Sequence, residues 1–258
     1  MAYTTLIYEK KDNVALITLN RPECLNSFND VAFKEIKAAV QEFELDKEAR
    51  VAILRGSKRA FSAGDDIKYM TSGAITDGDD WVQLMQDCVG EISRCKKPVI
   101  AAIAGLAMGG GFELALMCDF IFAAQGTKIS LPEVNVGAIP ICGGIVKVAK
   151  CAGAKWAKFM CMTGERITAE TAYTLGLVQK VVPYEELDGA AMETARKLAV
   201  LPTEILASVK RVADGAEDMT NERGLLYERD QQNFISRTGV GAEAAKAWVA
   251  AGSKGKKK

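Results

Sequence analysis

The chain contains no histidine. That absence removes Ser-His-Asp and Cys-His nucleophilic schemes together with histidine-based metal sites. Proton transfer near neutral pH then falls to tuned carboxyls, Lys, Tyr or Cys. Net charge is missing as well: 33 basic and 33 acidic side chains cancel, leaving no bulk field to draw nucleic acid or an anionic membrane. No apolar run reaches membrane-spanning length, and the first residues, Met-Ala-Tyr-Thr-Thr-Leu-Ile, lack a basic leader followed by an apolar core. The seven cysteines, Cys24, Cys88, Cys95, Cys118, Cys142, Cys151 and Cys161, are odd in number, scattered and without CxxC spacing. They read as buried reduced thiols, and the expected location is the cytoplasm of a prokaryote.

What is present is enough for one large core. At 258 residues and 49% hydrophobic content, the chain is enzyme-sized and globular. Val14–Leu19, Val51–Arg55, residues 98–104, Phe120–Ala124 and residues 129–131 carry the branched and small apolar runs of strands. Asn29 reads as the N-cap of a helix that places Phe33, Ile36, Val40 and Phe43 on one face. A second helix near Trp81 to Arg94 turns Leu84, Met85, Val89 and Ile92 inward. Strand alternating with helix predicts an α/β core of parallel strands. From Lys155 onward the pattern turns mainly helical, apart from a run at residues 177–182 that can complete a sheet edge. Late helices near Leu225 to Ile235 and Ala242 to Ala250 predict a helical C-terminal lobe. Its face of Leu225, Leu226, Tyr227, Phe234 and Ile235 is read either as core or as subunit contact. The expected organisation is a core over residues 1–195 and a lobe over 196–258, ending in the basic, disordered tail Lys254-Gly-Lys-Lys-Lys258.

Three segments carry chemistry. In residues 101–119 an apolar run breaks at Gly109-Gly110-Gly111 and restarts as a helix containing Glu113, so free N–H groups face an anion site with a carboxyl beside it. Glu133, in Leu131-Pro132-Glu133, supplies a second carboxyl in an apolar setting. In Ala60-Phe-Ser-Ala-Gly-Asp-Asp-Ile67, Gly64 permits a sharp loop that turns the Asp65 amide outward. If this loop meets the glycine triplet, the amides of Asp65 and Gly110 converge on one oxygen. Spacing alone does not show that these loops meet, and the loop by itself reads first as an ordinary strand-to-helix turn. For either glutamate, a helix-start charge or an ion pair is the competing assignment.

Over nearly its whole length the chain resembles the crotonase superfamily, the enoyl-CoA hydratase/isomerase family. The matching residues are Asn20-Arg-Pro22 with Asn26, the 60–67 loop, Lys97-Pro-Val-Ile-Ala-Ala102, Gly105 with Met108-Gly-Gly-Gly-Phe-Glu-Leu114, Asp119, Pro132-Glu133 and Gly137-Ala-Ile-Pro140. The resemblance implies a crotonase-like ββα spiral core with a helical C-terminal lobe. It implies an oxyanion hole from Asp65 and Gly110 and catalysis by Glu113 and Glu133. The expected reaction is reversible hydration of an α,β-unsaturated acyl-CoA thioester, with double-bond isomerisation as the rival and a non-catalytic CoA-binding assembly protein as a third reading. It further implies backbone contacts to CoA from the loop around Ala60 to Asp66, Ala63 among them, with Lys68 as a candidate phosphate contact and Arg21 and Lys210 as weaker ones. CoA enters as part of the substrate, so no cofactor or metal is expected, and the assembly expected is a homotrimer or homohexamer. After Pro140 many hydratases have small residues, whereas here Ile141 is expected to reshape the acyl pocket. Branched, aromatic and alicyclic dienoyl thioesters all stay open as substrates.

Overall fold

The computed structural model describes residues 3–255, with side chains described through residue 250. A hairpin opens the chain: β1 (Leu6–Lys11) and β2 (Val14–Leu19) pair antiparallel through Asp12 and Asn13, both at positive φ. Next come α1 (Asp30–Leu45), β3 (Val51–Arg55), α2 (Ile67–Thr71), α3 (Gly78–Arg94) and β4 (Val99–Ile103). As expected, the Asn29 side chain caps α1 by accepting from Ala32 N. The chain continues through β5 (Leu106–Met108), α4 (Gly110–Leu116), β6 (Phe120–Ala124), β7 (Lys128–Ser130), α5 (Gly144–Ala152), α6 (Ala154–Thr163), β8 (Ile167–Thr168), α7 (Ala169–Thr174) and β9 (Lys180–Val182). The helices α8 (Tyr184–Ala199), α9 (Thr203–Ala216), α10 (Asn221–Thr238) and α11 (Val240–Gly255) follow.

The six-stranded sheet runs β1-β2-β3-β4-β6-β9. It is parallel from β2 onward, so within this sheet the expectation of parallel strands needs one correction, the antiparallel edge β1. The Asp12-Asn13 turn is too short for a crossover and reverses the chain instead. The central strands β2, β3, β4 and β6 are buried on both faces, which explains their near-continuous apolar runs. Val14, Leu16, Val51 and Ile53 pack with Leu187, Ala191 and Ala195 of α8. Ala15, Ile17 and Leu54 share the opposite cluster with Phe33, Ile36 and Phe43 of α1.

A second sheet, β5-β7-β8, was not anticipated. The apolar run of residues 101–108 is two strands in different sheets, separated at Gly105, which takes a positive φ of 67°. Thus β4 and β6 of the large sheet are each followed by a strand of the small one, the repeating strand-strand-helix path of a ββα spiral. The 60–65 loop joins the small sheet through a parallel bridge between Ser62 and Ala107. Ser62, β5 and β7 therefore lie side by side and parallel, and their three exits open at one end.

Lys97 is structural. Its buried ammonium donates to the carbonyls of Phe43, Asp46 and Ala49 at the end of α1. In the C-terminal helices Ile235 is buried and Tyr227 partly so, but Leu225, Leu226 and Phe234 are exposed. Residues 254 and 255 lie within α11, and the part of the basic tail at 256–258 falls outside the described residues.

Candidate active site

The 62–65 loop is held by main-chain pairing on both sides. Ser62 N donates to Leu106 O and Met108 N donates to Ser62 O on the β5 side. Across the loop, Phe28 N donates to Gly64 O at 2.8 Å and Asp66 N to Phe28 O at 2.8 Å. Because a trans peptide points its C=O and N–H in opposite directions, a Gly64 carbonyl aimed at Phe28 turns the Asp65 N–H away from it. Gly64 takes a φ of 87°, and a Cβ there would lie 2.7 Å from Met108 O and 3.3 Å from Gly110 N, so the residue must be glycine. The loop is thereby pressed against the start of α4. Neither Asp65 N nor Gly110 N has a hydrogen-bond partner among the described residues.

Asn26 and Ser62 hold this arrangement from behind. The buried Asn26 amide donates to Ala60 O and Phe61 O, each at 3.1 Å, and accepts from Arg21 N at 2.9 Å. Ser62 Oγ donates to Asn26 O at 2.8 Å and accepts from Gly64 N at 3.1 Å. Gly111 makes the close approach possible, since a Cβ on it would stand 2.7 Å from both Ser62 Cβ and Ser62 O.

Glu113 is 1% exposed. Its Oε1 accepts from Cys142 N at 2.7 Å and from Gly144 N at 2.8 Å; the second is one of the amides that the start of α5 leaves free, and the first comes from the turn before it. Burial pushes its pKa above the usual carboxylate value, and the amides of Gly144, Cys142 and Ile141 pull against that shift. Glu133 stands in the 3-10 turn after β7, and both its carboxyl oxygens are buried without a hydrogen-bond partner among the described residues. Its pKa is raised to about 7, by burial first and then by the charges of Glu113 and Asp65. A Cβ on Gly109 would lie 3.0 Å from Glu133 Oε1, which places this carboxyl directly beside the glycine triplet.

Asp65, Gly110, Glu113, Glu133, Ala63 and Ile141 line one cavity of about 390 Å³. Lys68 does not line it; that side chain is exposed on α2. Arg21 donates to Ser27 O and Asp66 Oδ2, and Lys210 pairs with Asp119 at 3.0 Å. That pair lines a separate cavity of about 310 Å³ between α9 and the sheet, which contains none of the convergent amides and carboxyls. No group of three Cys, Asp or Glu side chains among the described residues is arranged to hold a metal ion. No helix of the described residues is long and apolar enough to cross a membrane.

Sequence reasoning missed the amides of Cys142 and Gly144. The signal was the Cys142-Gly143-Gly144 turn, a helix start able to receive a carboxylate. The burial of Asp65 Oδ1 has no local signal, because it depends on segments distant in the chain.

A family model described as enoyl-CoA hydratase/isomerase matches residues 9–248. The chain is 39% identical to a probable mitochondrial enoyl-CoA hydratase of Dictyostelium discoideum, over 88% of this chain and 81% of that one. It is 36% identical to a probable enoyl-CoA hydratase of Rhizobium meliloti, over 97% and 96%. Among solved structures, an enoyl-CoA hydratase from Bacillus anthracis superposes with a TM-score of 0.89 at 29% identity, covering 96% of this chain and 97% of that one.

Proposed function

The chain belongs to the enoyl-CoA hydratase/isomerase family, and from that membership we propose that it is an enoyl-CoA hydratase working with Glu113, Glu133 and the amides of Asp65 and Gly110. The observation that carries this reading is the convergence of two buried carboxyls and two unpartnered amides on one cavity.

In the proposed reaction the thioester oxygen rests between Asp65 N–H and Gly110 N–H. Charge that builds on it as the enolate forms is met by dipoles already in place. Glu113, as carboxylate, takes a proton from water while the water oxygen bonds to the β-carbon. Its Oε1 is engaged by Cys142 and Gly144, so the proton is assigned to Oε2. Protonated Glu133 gives its proton to the α-carbon, and the carbon–carbon π bond is consumed. A proton passing from Glu113 to Glu133 resets the site, directly or through water. A pKa near 7 suits a group that must hold and release a proton at neutral pH. No cofactor enters these steps, since CoA is part of the substrate.

Ala63 is assigned to the CoA arm, Ile141 to the acyl wall and Lys68, from outside the cavity, to a CoA phosphate. Assembly as a homotrimer or homohexamer is part of this reading. Val136, Ile139 and Met162 expose 57%, 64% and 71% of their surface, and association would cover them. Seven free cysteines suit a reducing cytoplasm.

Turnover of a panel of 2-enoyl-CoA thioesters in heavy-oxygen water tests the reaction. A hydroxyacyl product carrying the heavy oxygen is expected. Double-bond migration without oxygen uptake would make the protein an isomerase, and no conversion of any thioester would defeat both.

A further inference from the structure

Once both glutamates and both amides have roles, three polar side chains of the cavity lining are left over: Asn135, which is exposed, Trp81, whose buried indole N–H can only donate, and one carboxyl. The carboxyl is the side chain of Asp65. Its Oδ1 is buried and has no hydrogen-bond partner among the described residues, and a Cβ built on Gly110 would lie 2.8 Å from that oxygen. The oxyanion amide does not explain this carboxyl, because alanine would present the same main-chain N–H. No cation explains it either: the cavity lining includes no lysine or arginine, and its nearby wall is Ile67, Met70, Trp81 and Ile141. Arg21 is engaged by the neighbouring carboxyl, Asp66, at 3.1 Å.

A buried polar group left unpaired costs free energy, so such groups in native proteins normally have a partner, which in a binding cavity can be the ligand. The titratable groups facing Asp65 are Glu113 from α4, Glu133 from the turn after β7 and the Cys142 thiol before α5. Burial, then the Glu113 charge, raises the Asp65 pKa to about 7. In its neutral form the carboxyl is both donor and acceptor.

We propose that Asp65 is a specificity-determining residue whose side chain hydrogen-bonds an oxygen substituent on the acyl group, so that hydroxy- or oxo-bearing acyl-CoA thioesters are preferred over purely hydrocarbon ones. This rests on the acyl-CoA reading above and deepens it. The substituent sits close to the thioester carbonyl, because one residue supplies both the amide for the thioester oxygen and the carboxyl, only a Cα–Cβ–Cγ arm apart. A hydrocarbon chain desolvates Asp65 and gives it nothing in return. A hydroxyl or keto oxygen completes it. Pockets that select by hydrogen bond discriminate far more sharply than pockets that select by one methylene.

The test is calorimetric binding of saturated thioesters, which cannot be hydrated, to the full-length protein at about pH 6. The probes are butyryl-CoA, 2-hydroxybutyryl-CoA and 4-hydroxybutyryl-CoA. At least one hydroxyacyl thioester is expected to bind the wild type about 10-fold or more tightly than butyryl-CoA, with the ratio falling to within about 3-fold of unity in Asp65→Ala. Asp65→Asn, nearly isosteric and still donor and acceptor, keeps the preference and guards against a folding artefact. Equal binding of all three probes by the wild type, or an unchanged preference in Asp65→Ala, overturns the proposal. Because binding needs no turnover, failure of hydration with the preference intact would count against the hydratase reading alone.

Discussion

The amide of Cys142 donates to Oε1 of Glu113 at 2.7 Å, and the Gly144 amide donates to the same oxygen at 2.8 Å. A carboxyl buried to 1% exposure is thus held by main chain rather than by a cation. Glutamine in its place retains an acceptor oxygen for both amides but cannot take a proton from water. Glu113→Gln should keep thioester binding within a few-fold while turnover falls by roughly 10²–10⁴. Glu133→Gln should behave alike, for loss of the acid. Stopped-flow turnover beside equilibrium binding reads both, and unchanged turnover in either variant removes that residue from the mechanism.

The pH profile follows from the directions of the shifts. Glu133, raised to about 7, is protonated below that pH and loses its proton above it. As an acid it should make kcat/KM fall as pH rises through about 7. Glu113 must be ionised, and its pKa is also raised, so activity should fall again on the acid side. A bell-shaped profile is expected, and Glu133→Gln should remove its alkaline limb from whatever activity is left.

Stability should move with the same protons. Asp65 is raised from 3.8 to about 7, so between those values the folded chain holds a proton that the unfolded chain has released. Stability from this group is full below about pH 4 and is lost as pH rises through about 7. Asp65→Asn removes the titration and should stabilise the protein relative to wild type at about pH 8, by on the order of 1–4 kcal/mol. Thermal unfolding at both pH values checks the sign, and a stabilisation confined to acid pH would contradict it.

Gly64→Ala puts a Cβ 2.7 Å from Met108 O on a residue at φ 87°. Relief of that contact moves the Asp65 amide away from Gly110. A stability loss of about 1–2 kcal/mol is expected, with kcat lower by roughly 10²–10³. A loss of stability with kcat intact would show that the amide is not used.

Asn26→Ala strips hydrogen bonds from Ala60 O, Phe61 O and Arg21 N in a buried setting. Ala60 O keeps its hydrogen bond from Ser57 N, but leaving Phe61 O and Arg21 N unpaired should cost about 2–4 kcal/mol. Chemical denaturation measures it directly.

Much of this architecture was legible because it is local. The Asn29 cap, the inward face of α1 and the runs that became β2, β3 and β6 are set by neighbours a few residues apart, and hydrophobic periodicity reports them. The β1–β2 hairpin escaped notice because its Asp12-Asn13 turn gives a weak signal beside the charged residues of β1. The β4–β5 division escaped because Gly105 is a single residue in a continuous apolar run. For the site, Glu113 and Glu133 stood out as acidic residues in apolar surroundings. The 60–65 loop, read alone, could have been an ordinary turn.

The sequence by itself determined which residue types were available for chemistry. With no histidine, proton transfer had to rest on other groups, and a glycine triplet followed by glutamate marked where an amide and a carboxyl would lie together. Only the tertiary structure decided that three segments meet. Ser62, β5 and β7 are joined by parallel pairing between residues far apart in the chain, and adjacent parallel strands end at the same edge. Tertiary structure also decided that Glu113 rests on amides from residues 142 and 144, and that Oδ1 of Asp65 lies buried without a partner among the described residues. Desolvation depends on every atom packed around a group, and that environment exists only once distant segments have folded together.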